Sequence, residues 1–173
     1  MLLTVHTNTQ NIKLLCQLPI QLIIFVHRWH SKKVDNPYLN MEKSIQYTPV
    51  KIGVEVRGID LSADVPENVI DTIRKDVRKH RLLIFKDQGV ISGPRHVEIS
   101  QWFGELESTF YKHPRSPHPD VFRVSNNPDE GCTNVGRTGW HIDGSFMSEP
   151  FDFALYHMVS VPKEGSTGEL YFG

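Results

Sequence analysis

The apolar period changes along one stretch of this chain, and that change limits its fold more than any other feature. Ile52 to Leu61 reads IGVEVRGIDL, alternating apolar and polar residues as a half-buried strand does. Helical spacing follows. Asp64 is placed to cap a helix with Pro66 just inside its start, and Val69, Ile70, Ile73 and Val77 then fall on one face. Arg74, Lys75, Arg78 and Lys79 fall on the watered side. Leu82 to Phe85 is an apolar run between charges and reads as a buried strand. Ser92 and Pro94 open a second helix, with Val97, Ile99, Trp102 and Phe103 as its apolar positions and Gly104 as a stop. Strands are predicted over 121–124 and 153–161, a loop over 125–139, and a strand or turn over 140–146, with Trp140 and Phe146 packing into the core. Strand, helix, strand, helix, then strands and loops predicts an α+β domain with a β core.

At 173 residues the chain is long enough for one domain with a core. A formal net charge of -1 gives no basic footprint, so nucleic acid is not an expected partner. The two cysteines, Cys16 and Cys132, are too few for a disulfide framework and point to a reducing compartment. The first forty residues differ in character. Leu14 to Val26 is mostly apolar but shorter than the roughly 20 residues a membrane helix needs, which argues against a membrane protein. Acidic residues are absent before Asp35, while Arg28, Lys32 and Lys33 follow the run. Residues 1–40 therefore read as a variable extension: upstream read-through before a start at Met41, a targeting segment, or a packed helix. A mitochondrial location goes with targeting, a cytoplasmic one with the other readings. Residues 41–173 form the domain, and the residues before Met41 are expected to pack poorly against it.

The chemistry-bearing segment is Trp140-His141-Ile142-Asp143. In a strand, residues i and i+2 point to one side, so His141 and Asp143 can offer an imidazole nitrogen and a carboxylate oxygen to one ion. Two histidines and a carboxylate on one face of iron(II) leave open positions for co-substrate and oxygen, and H-x-D supplies two of these three ligands. By itself the spacing favours a satisfied buried pair over a metal site. His118-Pro119-Asp120 repeats the spacing, but its proline and loop-like neighbours place it on the surface. Arg123 is expected on the surface, and Asn126 and Asn127 as turn formers before Pro128.

From about Lys51 to Thr167 the chain resembles the family of taurine and 2,4-dichlorophenoxyacetate dioxygenases. The resemblance runs through IGVEVRGIDLS, RLLIFKDQ, QWFGELE, HPDVFRVSNNPDEG and WHIDGSFMSEPFDFALYHMVSVPKEGST, in the family's order and at similar spacing. It implies a double-stranded β-helix, the jelly roll of clavaminate synthase-like proteins, with flanking helices. It also implies an iron(II)- and 2-oxoglutarate-dependent hydroxylation, with molecular oxygen, of a small organic substrate, anions included. His141 and Asp143 would be iron ligands. Thr167 resembles the threonine that hydrogen-bonds the 2-oxoglutarate carboxylate, although a threonine between Gly165 and Gly168 also suits a turn. Thr109 stands where taurine enzymes carry a substrate-contacting histidine, which reads against a sulfonate. The family's distal histidine and the arginine beyond it fall downstream of Gly173. The expectation is therefore a jelly roll truncated at its C-terminus, with an incomplete iron site and open edges that permit a homo-oligomer. A non-catalytic remnant and a small binding or dimerisation module remain the alternatives.

Overall fold

The computed structural model describes residues 2–6, 21–26, 45–107, 111–133, 143–144 and 146–160. Along 2–6 and 21–26 it is the backbone path that is described, with the Ile24 side chain. Seven strands and two helices follow in chain order: β1 (Leu2–His6), β2 (Gln21–Val26), β3 (Gln46–Pro49), β4 (Val54–Arg57), α1 (Glu67–His80), β5 (Leu82–Phe85), α2 (Gly93–Gln101), β6 (Phe122–Ser125) and β7 (Phe153–Ser160). The strands form one mixed sheet in the order β3-β4-β5-β2-β7-β1-β6. Pairing is antiparallel at β3/β4, β5/β2 and β2/β7, and parallel at β4/β5, β7/β1 and β1/β6. Helices together with a mixed sheet bear out the α+β expectation.

β5 explains the middle of this sheet. Its sequence LLIF does not alternate, and all four residues are buried. A strand buried on both faces also needs a hydrogen-bonding neighbour on each edge, because an unpaired buried N–H or C=O is costly. β4 supplies one edge, with Val54 opposite Leu83 and Val56 opposite Phe85. β2 supplies the other, with Ile24 opposite Leu83. The expectation that residues before Met41 pack poorly is therefore corrected for 2–6 and 21–26. β2 lies between β5 and β7, β1 between β7 and β6, and Ile24 is fully buried. The physical reason is that LIIFV is rich in β-branched and aromatic residues and finds an apolar slot at the sheet centre. Residues 14–20 lie outside the described ones.

α1 lays Val69, Ile73 and Val77 on the sheet face that carries Val54, Leu83, Ile24 and Leu155. Its start differs from expectation. Pro66 is the N-cap residue and no side chain caps the helix, so Asp64 does not serve. α2 begins as expected, with the Ser92 side chain accepting from the Arg95 amide at 3.3 Å. It ends at Gln101, so Trp102 and Phe103 follow the helix and pack half-buried against the core. The Arg74 guanidinium, from the middle of α1, donates to the Trp102 carbonyl at 2.6 Å and ties α1 to the C-terminal end of α2.

Other boundaries move for local reasons. The strand expected over 52–61 stops at Arg57, because Gly58 takes φ +83, and a further strand, β3, precedes it. Beyond it, Gln88 braces the 59–61 segment: its amide donates to the Ile59 and Lys86 carbonyls at 2.8 and 2.7 Å and accepts from the Leu61 N–H at 2.9 Å. Phe146, expected in the core, is 78% exposed; it sits in a turn, where no strand aims it inward. Trp140 lies outside the described residues. Among the described residues no helix is long and apolar enough to cross a membrane.

Candidate metal centre

The site is built from the two faces of β7. Leu155 and His157 stand opposite Ile24 and Leu22 of β2. Ile24 and Leu22 stand opposite Leu83 and Phe85 of β5, which lie opposite Val54 and Val56 of β4. This is the face covered by α1. Side chains alternate along a strand, so Tyr156 belongs to the other face, in the register row of Ile84 and Glu55.

Asp143 meets that second face. It lies with Gly144 in a turn closed by the Met147 N–H donating to the Gly144 carbonyl at 3.0 Å. Gly144 has φ +73, a region L side chains rarely adopt. A Cβ there would meet Phe151 Cε2 at 2.5 Å, so the buried Phe151 ring rests against the glycine backbone. The Tyr156 hydroxyl donates to Asp143 Oδ2 at 3.0 Å. Burial raises the Tyr156 phenol above its ordinary range, and the neighbouring Asp143 charge raises it further. The phenol therefore stays protonated and remains a donor.

His141, Ile142 and Thr167 lie outside the described residues, so the shared face expected of His141 and Asp143 and the role expected of Thr167 are not among the structural findings. Thr109 lies outside them too. A carboxylate held by a hydroxyl, with an imidazole two residues before it in sequence, has the donor chemistry for two of the three protein positions of a non-haem iron(II) centre. Among the described residues no group of three His, Cys, Asp or Glu could hold a metal.

The remaining histidines fall elsewhere. His157 is buried on the helix-covered face of β7, receives the Ile91 N–H at 3.5 Å, and meets His96 of α2 edge to face at 5.9 Å between ring centroids. Burial, with His157 beside it, pushes His96 down to about 3. His113 Nε2 sits 3.0 Å from the Pro128 carbonyl. His118 accepts the Asp120 N–H at 3.1 Å in a surface loop, as expected of that H-x-D repeat. Asn127 forms the expected turn, its side-chain oxygen receiving the Asp129 N–H at 3.0 Å. Arg123, expected on the surface, is instead largely covered and pairs with Glu130 at 2.8 Å.

Sequence reading missed the buried His96 and Lys86 and the part-buried Tyr156. His96 stands three residues before Ile99 and so on the helix's buried stripe, a signal visible in the spacing. Tyr156 stands between buried Leu155 and His157, so strand alternation alone would have turned it toward the opposite face. Lys86 is 3% exposed and lies 3.5 Å from Glu55 one strand away, a pairing no local pattern announces.

With this geometry in place, comparison with known proteins gives a consistent result. The model of the taurine catabolism dioxygenase TauD, TfdA family matches residues 44–172. The chain belongs to this family. Among its relatives, pentalenolactone F synthase of Streptomyces avermitilis is 25% identical over 126 residues, 69% of this chain and 41% of that protein. An alpha-ketoglutarate-dependent sulfate ester dioxygenase of Pseudomonas putida is 23% identical over 125 residues, 72% and 40% respectively. An alpha-ketoglutarate-dependent sulfonate dioxygenase of Saccharomyces cerevisiae is 27% identical over 126 residues, 66% and 30%. The matched stretch thus spans less than half of each relative. No solved structure matches significantly. The TauD, TfdA match begins after β1 and β2, so part of the sheet that carries Tyr156 is built from residues outside the family match.

Proposed function

We propose that the chain is part of an iron(II)- and 2-oxoglutarate-dependent dioxygenase that hydroxylates a small, anionic organic substrate. Its domain is read as belonging to a double-stranded β-helix with flanking helices. His141 and Asp143 are the iron ligands present in this sequence, and Thr167 holds a 2-oxoglutarate carboxylate through its hydroxyl. The observation that supports the reading is the family match over 44–172, which contains WHIDG and Thr167. Two relatives are named for alpha-ketoglutarate dependence and for sulfate ester or sulfonate substrates, and this favours an anion.

In this reading the protein's part is geometric. Asp143 and His141 hold two corners of the centre, Tyr156 fixes the carboxylate, and the turn pinned by Phe151 keeps Asp143 against β7. Bound iron(II) would supply the redox chemistry that couples 2-oxoglutarate decarboxylation to hydroxylation. The test is succinate release from 2-oxoglutarate with iron(II), ascorbate and oxygen, comparing the chain with His141→Ala. Whatever release occurs should disappear with His141. Release that persists undiminished in His141→Ala contradicts the assignment.

A further inference from the structure

We infer that Tyr156 is a positioning residue for the metal centre: its hydroxyl fixes the orientation of the Asp143 carboxylate by holding one of its oxygens. The inference rests on the reading of Asp143 as an iron ligand and adds a residue that the H-x-D spacing does not contain.

Asp143 lies in a turn and not in a sheet ladder, so no strand pairing fixes the direction of its carboxylate. Among the described residues, two contacts contribute to this. The Phe151 ring packs on Gly144 and sets the backbone. The Tyr156 hydroxyl, at 3.0 Å from Oδ2, sets the carboxylate. Tyr156 is itself held by β7, whose backbone is paired on both sides, with Ile23 of β2 and Leu3 of β1 opposite it. A short flexible ligand is thereby coupled to a strand inside the sheet. A ligating carboxylate hydrogen-bonded in this way is pre-oriented, so less ordering is left to be done when the metal binds. The hydroxyl donates to the carboxylate and does not itself bind the metal. Its loss should therefore weaken metal binding without removing a ligand.

The experiment is anaerobic titration of the full chain with cobalt(II), followed by its visible absorption, for the unmodified protein, Tyr156→Phe and Asp143→Ala. Far-UV circular dichroism and thermal melting of each metal-free protein check the fold. We expect Tyr156→Phe to weaken cobalt binding roughly 10–100-fold and to alter the band shape, with a larger loss for Asp143→Ala. If Asp143→Ala abolishes binding while Tyr156→Phe leaves both affinity and spectrum unchanged, the site stands and the role given to Tyr156 is wrong. If Asp143→Ala leaves binding unchanged, or the unmodified chain binds no cobalt, the ligand reading fails and the inference with it. A second measurement avoids any folding defect of the Phe variant. 3-Fluorotyrosine placed at position 156 keeps the hydroxyl, and its fluorine resonance should undergo a large paramagnetic shift when cobalt(II) binds. A resonance that does not move on cobalt saturation overturns the inference.

Discussion

Ile24→Ala separates a domain that includes the N-terminal strands from one that does not. Ile24 is fully buried, at the centre of β2, opposite Leu83 on one side and Leu155 on the other. Its truncation removes apolar surface from a fully enclosed position of the sheet and leaves a cavity, because paired strands on both sides resist collapse. Isoleucine-to-alanine changes in such sites cost about 2–5 kcal/mol. That is a large share of the roughly 5–15 kcal/mol that holds a domain folded. For a domain of this size it corresponds to a melting temperature lowered by about 4–20 °C. The assay is urea and thermal unfolding followed by circular dichroism, with the half-exposed Val50→Ala as the comparison, expected within about 0.5 kcal/mol of the unmodified chain. A cost for Ile24→Ala no larger than that for Val50→Ala would refute the placement of β2 inside the core.

Acid should weaken the fold through His96. Its folded value is depressed from 6.5 to about 3, so the unfolded chain takes up the proton first. The stability is complete above the unfolded value and is lost as pH falls toward the folded one, at roughly 1.4 kcal/mol per unit at most. Between pH 7 and 5 this amounts to about 2 kcal/mol, measurable as a falling urea midpoint that flattens in His96→Leu. A residual slope in that variant is expected from His80, which is also lowered, chiefly by burial. Gly144→Ala should displace Phe151 and twist the Asp143 turn, weakening iron(II) binding at least as much as Tyr156→Phe, whereas Gly89→Ala, where nothing lies within 4 Å, should leave binding unchanged.

The parts of the fold that were legible in the sequence are those governed by local periodicity. Val69, Ile70, Ile73 and Val77 announced the buried face of α1, and Leu82 to Phe85 announced a strand buried on both sides. Ser92 announced its own cap, because a serine ahead of Gly-Pro carries its capping geometry locally. What local pattern does not carry is which distant segment fills a given slot. An apolar run such as LIIFV fits a leader, a buried helix or a central strand equally well, and the choice is made by the unpaired edges of β5 and β7. The candidate site divides in the same way. Asp143 followed from the H-x-D spacing, whereas its contact with Tyr156 joins residues 13 apart and depends on the face β7 turns toward the turn. The exposure of Phe146 has the same origin, since an aromatic residue near a site motif is apolar in sequence whichever way its turn aims it.

The most direct test of the central claim, that WHIDG supplies ligands to iron, is equilibrium binding of iron(II) to the chain under anaerobic conditions, alone and with 2-oxoglutarate. We predict saturable binding at a single site that tightens with 2-oxoglutarate. We further predict that His141→Ala and Asp143→Ala each weaken it by more than the roughly 10–100-fold typical of losing an outer hydrogen-bond partner. Iron binding that is identical in the unmodified chain and in both variants would contradict the claim.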